Sequence, residues 1–160
     1  MEGFLFALTL LAALGCAVMA GVFFAFSAFV MKALTRIPAK QGAAAMQAIN
    51  VAAVTFAFMA ALFGTALACG VLALWAILAW DEGFALYLLA GSGLYLVGTI
   101  LLTIAYYVPR NEALARVEPH SAGAERHWRR HLSGWTAWNH VRAAAALAAA
   151  ATLTIALHVG

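Results

Sequence analysis

Apolar residues fill this chain in four long runs that charged residues do not enter. No Asp, Glu, Lys or Arg occurs between Gly3 and Met31, Gln41 and Trp80, Gly83 and Pro109, or Ala143 and Gly160. A helix needs roughly 20 apolar residues, rising about 1.5 Å each, to cross the hydrocarbon core of a bilayer. Each run reaches that length, the last with help from residues 138–142. The runs are rich in Ala and Leu and lack the period-2 alternation of membrane strands. The pattern predicts an all-α integral membrane four-helix bundle, one domain over residues 1–160. The spans fall at about 4–32, 51–78, 84–108 and 137–158, with a cytoplasmic loop at 109–134.

Finer patterning adds packing detail. Ala13, Ala17, Gly21 and Ala25 recur every four residues in the first run, and Ala53, Ala57 and Ala61 do so at the start of the second. Such stripes let backbones approach closely, within one bundle or between copies in a homo-oligomer. Ile37-Pro38 breaks the chain after the first span, and residues 38–50 read as an interfacial lead-in continuous with the second. Trp75 and Trp80 suit an outer aromatic belt beside the Asp81-Glu82-Gly83 turn. Pro109 is expected to end the third helix. A short interfacial helix over 124–132 precedes a fourth that starts near Gly134.

Composition excludes a water-soluble domain. Only 9% of the 160 residues are charged and 66% are hydrophobic, whereas a soluble surface requires about 25% charge. All nine basic residues lie in two segments: Lys32, Arg36 and Lys40, then Arg110, Arg116, Arg126, Arg129, Arg130 and Arg142. The positive-inside bias puts both segments in the cytoplasm and both termini outside. Anionic membrane lipids account for the net charge of +3, and no nucleic-acid partner is needed. The first run lacks a preceding basic residue and is too long for a signal core, so it is expected to stay as a span. Cys16 and Cys69 fall inside spans, where cysteine serves as a small packing residue.

Several polar residues have the spacing to share a site. Ser92, Tyr95, Thr99, Thr103 and Tyr106 follow one another at three, four, four and three residues and so share one helix face. Hydroxyls lack partners in lipid, so the stripe should turn into the bundle, either to bond other helices or to line a partly polar cavity. Trp135, Trp138, Asn139 and Arg142 are spaced i, i+3, i+4 and i+7. Their face is either an aromatic belt with a snorkelling arginine or a pocket where indoles stack a flat ligand and Arg142 holds an anion. Asn50, Gln47, Asn111, Ser27 and Phe23 are expected at the same depth, closing a chamber at the cytoplasmic mouth. His127 and His131 are four apart and could share a metal, with His120 and Glu112 the nearby candidates to complete it. The spacing matches no closed ligand set, and Arg126, Arg129 and Arg130 oppose a dication, so a metal is not favoured. The first three spans carry no His, which argues against haem, and no acid or base, which argues against an ion-coupled carrier.

Gly21-Val22-Phe23-Phe24-Ala25-Phe26-Ser27, Met46-Gln47-Ala48-Ile49-Asn50, Val108-Pro109-Arg110-Asn111 and Trp135-Thr136-Ala137-Trp138-Asn139-His140-Val141-Arg142 together resemble the anthrone oxygenase-like family. These are small four-helix membrane proteins whose bacterial members are mostly grouped as a domain of unknown function. The resemblance spans nearly the whole chain and implies a protein of the bacterial inner (cytoplasmic) membrane. It also implies an oxidoreductase that oxidises an anthrone-like or other planar phenolic substrate with molecular oxygen as co-substrate and no further cofactor. On that reading the small planar aromatic ligand stacks among Trp135, Trp138 and the tyrosines of the third span. Arg142 and Asn139 hold the enolate oxygen, and His140 is the expected base because neutral imidazole operates near pH 7. The alternative is a non-catalytic bundle that binds a lipid, a quinone or a partner membrane protein.

Overall fold

The computed structural model describes residues 1, 3–118, 121 and 123–160. Among them no strand forms, and four helices are long and apolar enough to cross a membrane. These are α1 (Gly3–Thr35), α3 (Phe56–Leu78), α4 (Ala85–Ala115) and α5 (Ala124–Val159). The fifth helix, α2 (Ala39–Ala52), joins the first two spans. In each span helix only 28–33% of the most apolar stretch is buried inside the bundle. Exposed Leu67, Leu74, Val97, Leu101, Leu147 and Ile155 coat the outside. Such a surface belongs in lipid, and the chain is an integral membrane protein.

The span helices form a ring in the order α1, α3, α4, α5, each packed against two neighbours. Where lipid is as apolar as the side chains, close approach and dispersion hold helices together. Gly15 shows how close. A Cβ there would lie 2.0 Å from Thr65 Oγ1 of α3. Gly98 of α4 is similarly tight, since its Cβ would meet that of Ala145 at 2.4 Å. Gly15→Ala should therefore destabilise the bundle by about 1–3 kcal/mol. Adding Thr65→Ala should recover most of that loss, read as the thermal midpoint of the helical signal in detergent.

Three boundaries differ from the sequence expectation. The lead-in does not run straight into the second span: Ala53–Thr55 is non-helical, and the Thr55 hydroxyl accepts from Phe58 N to cap α3. Pro109 does not end α4, which continues to Ala115. Two π-helical turns, Leu96–Leu101 and Thr103–Tyr107, precede the proline. The predicted interfacial helix and fourth span are one helix of 36 residues. Gly134 lies inside it, against the Tyr106 hydroxyl rather than at a start.

Both termini meet at one end, where the Met1 amine donates to the Gly160 carbonyl beside Phe84. Two apolar cores divide the length. One, nearer the termini, contains Met19, Phe23, Leu72, Leu88, Tyr95 and Leu153. The other contains Met31, Met46, Tyr107, Leu114, Trp128 and Trp135. The polar residues that matter most lie at the seam between these cores.

Candidate functional site

Asn139 and Arg142 of α5 occupy that seam. Asn139 is fully buried and Arg142 is 7% exposed. The Asn139 amide donates to the Phe23 carbonyl at 2.6 Å and to Ser27 Oγ at 2.7 Å, which ties α5 to α1. Its oxygen accepts from Arg142 Nε at 3.2 Å and Nη2 at 2.7 Å. Arg142 Nη1 donates to Thr103 Oγ1 at 3.3 Å, and that hydroxyl donates to the Thr99 carbonyl. The guanidinium carbon stands 3.9 Å from the Phe23 ring centroid and 3.8 Å from that of Tyr107, a double cation–π contact.

The electrostatics of this arrangement are unbalanced. A guanidinium has five N–H donors, and the three bonds above leave two with no acceptor among the described residues. No described carboxylate pairs with Arg142; the ion pairs join Arg116 to Glu112 and Arg129 to Glu125 at the surface. A buried cation without a counter-ion is costly in a membrane, which makes Arg142 the leading candidate for a functional position.

Tyr107 completes the enclosure. Its ring packs on Arg142 and edge-on to Trp135, and its hydroxyl donates to the Trp135 carbonyl at 3.0 Å. The Trp135 indole donates to Asn111 Oδ1 at 3.3 Å and packs against Phe26. One connected set therefore holds Phe23, Ser27, Thr103, Asn111, Trp135, Asn139 and Arg142 from the expected residues, with Tyr107 added. The 3.6-residue period pointed to Tyr106. The π turns take extra residues per turn, so the inward position moves on by one. Pro109 was the available signal that the period would change.

Other expected residues lie elsewhere. Tyr106 is half-buried beneath Arg110 and packs on Trp138, which is 45% exposed, so this aromatic group faces outward. His140 is exposed, with Ala17, Gly21, Phe24 and Leu147, on an apolar groove of about 420 Å³ between α1 and α5. A position one residue past Asn139 turns about 100° away from it, which separates His140 from Arg142. Gln47 donates to the carbonyls of Leu114 and Val117, closing the end of α4. Asn50 is half-buried in the last turns of α2 and is outside the bonded set. Tyr95 bonds the Leu62 carbonyl across to α3, while the Ser92 and Thr99 hydroxyls are buried without partners among the described residues. The hydroxyl stripe thus serves interhelical bonding at Tyr95 and the polar site at Thr103. Among the described residues no three His, Cys, Asp or Glu side chains are grouped to hold a metal. His120 lies outside the described residues.

Fold and site together define a four-helix integral membrane protein with a buried, aromatic-walled arginine at a seam in its core. The family model for anthrone oxygenase matches residues 53–152, and the chain belongs to that family. The match includes Thr103, Tyr107, Asn111, Trp135, Asn139 and Arg142. No curated protein and no solved structure matches the chain.

Proposed function

We propose that the protein is a membrane oxygenase that converts an anthrone-like planar phenolic ketone to the corresponding quinone with molecular oxygen. The observation that carries this reading is the Arg142 guanidinium, buried and, among the described residues, without a carboxylate partner and with two unused N–H donors. Removing a proton from the methylene opposite an anthrone's ketone spreads negative charge through the rings onto that oxygen. Donors fixed in advance where charge develops lower the barrier to its formation. Phe23, Tyr107 and Trp135 supply aromatic faces for the rings, and these faces must part to admit them.

The electron-rich carbanion then transfers electrons to oxygen and forms a carbon–oxygen bond. Loss of water from the resulting hydroperoxide gives the second carbonyl. One anthrone and one O2 become one anthraquinone and one water, with the methylene oxidised by four electrons and oxygen reduced by four. A hydrophobic substrate of this kind dissolves in the bilayer, which suits a site between membrane helices. The basic ends of α1, α2 and α4 are assigned to the cytoplasmic side on charge alone, and both termini to the outside.

The test is oxygen uptake by purified protein supplied with anthrone, with and without a chelator. Uptake above the spontaneous rate, unchanged by chelator, is the expected result. No acceleration would remove the oxygenase reading, and loss of uptake on chelation would overturn the metal-free path.

A further inference from the structure

We propose that a cleft at the end of the bundle opposite the termini seats an anionic phospholipid, held by its phosphate headgroup. The cleft encloses about 380 Å³ between two parts of the chain. Thr35, Ile37 and Ala39 line it from the corner between α1 and α2, and Trp128, Arg129 and Leu132 line it from the first turns of α5. Trp128 is buried, and a Cβ on Gly42 of α2 would lie 2.9 Å from its indole nitrogen, so this ring closes the back of the cleft against α2. Leu132 follows Arg129 by three residues along α5 toward the span. The cleft therefore turns from charged to apolar in the direction of the bilayer core.

Positive charge gathers on the elements that form it. Lys32, Arg36, Lys40, Arg126, Arg129 and Arg130 are six of the nine basic residues in the chain. One acid accompanies them. Glu125 also lines the cleft and accepts from Arg129 Nε at 3.1 Å and from its Nη2, an exposed contact that engages one edge of the guanidinium and orients it. The other five cations pair with no described carboxylate. Lys32 stands one turn before Thr35 on the same face of α1, where its stem lies along apolar surface and carries the ammonium outward. An occupant suited to this place combines negative charge with an apolar body. Free phosphate lacks the body, and a zwitterionic lipid lacks the net charge. An anionic phospholipid has both, with its phosphate toward Arg129, Arg36 and Lys32 and an acyl chain along Leu132. Each basic residue near a membrane surface strengthens attraction to anionic lipid about five-fold.

The test uses full-length protein in a neutral detergent with phosphatidylglycerol or phosphatidylcholine labelled on the acyl tail, and reads binding as fluorescence anisotropy. Wild-type protein should prefer phosphatidylglycerol, and millimolar inorganic phosphate should not displace it. Arg36→Gln combined with Arg129→Gln should weaken phosphatidylglycerol binding by about 25-fold. Arg110→Gln combined with Arg116→Gln removes the same charge from α4, outside the cleft, and should weaken it by less than about five-fold. Thr35→Phe fills the cleft from an exposed position with every charge in place, and it should weaken binding too. Equal losses from the two arginine pairs, or unchanged binding by T35F, would overturn the cleft as the seat of the lipid. Equal affinity of the wild type for both lipids, or displacement by inorganic phosphate, would overturn an anionic phospholipid as its occupant. If the thermal midpoint of R36Q/R129Q collapses, T35F decides in its place.

Discussion

Arg142→Met should lower anthrone-dependent oxygen uptake by about 100- to 1,000-fold, the usual effect of losing one fixed oxyanion donor, and should leave the bundle's thermal midpoint little changed. The two halves of this result come from the same cause. Arg142 lies 7% exposed with no described carboxylate beside it, so its charge opposes folding. Methionine removes the charge and sets a thioether between the Phe23 and Tyr107 rings, where sulfur packs well. The carboxamide oxygen of Asn139 loses both its donors, a penalty of about 1–3 kcal/mol that relief of the buried cation offsets. Arg142→Lys should fall between the two proteins, because an ammonium keeps the charge without the planar fork. Uptake by R142M at the wild-type rate would remove Arg142 from the chemistry. Collapse of the helical signal would instead make it a structural residue.

How much of this site the sequence disclosed depends on how far each signal reaches. Uncharged runs gave the four membrane-length helices directly, because the length and polarity demands of a bilayer act on each residue separately. The i, i+4, i+7 spacing of Trp135, Asn139 and Arg142 put them on one face, and a single unbroken α5 keeps that spacing true. Ser27 and Phe23 were expected at the same depth, and both now bond Asn139. Where the helix leaves its regular period, the reading slipped. The turns before Pro109 shifted the inward tyrosine from Tyr106 to Tyr107. His140 was expected as the base because neutral imidazole operates near pH 7, and its place one residue past Asn139 leaves it exposed on the groove between α1 and α5. His131 was read on a short interfacial helix over 124–132, and only the continuity of α5 with the span carries it into the core. Asn50 depended on how α2 enters α3, and the break at Ala53–Thr55 is a tertiary feature that no periodicity encodes.

Asn139→Leu should be the most damaging single change in the seam, and its damage should be reversible by a second one. Asn139 makes four hydrogen bonds from a fully buried position. Leucine has a similar volume, so packing alone predicts a small effect. Its neighbours decide otherwise: Ser27 and the Phe23 carbonyl lose a donor, and Arg142 is left with Thr103 alone. The neutral bonds are worth about 1 kcal/mol each in a membrane interior. Stranding the cation is the larger loss, and removing one partner of a buried charged contact costs about 3–5 kcal/mol. Asn139→Leu combined with Arg142→Met should therefore melt above Asn139→Leu alone, since the second substitution removes the charge that the first one strands. Thermal midpoints of the four proteins in one detergent close the cycle. A double variant that falls by the sum of the two single losses would mean that Asn139 holds α1 to α5 without stabilising the cation.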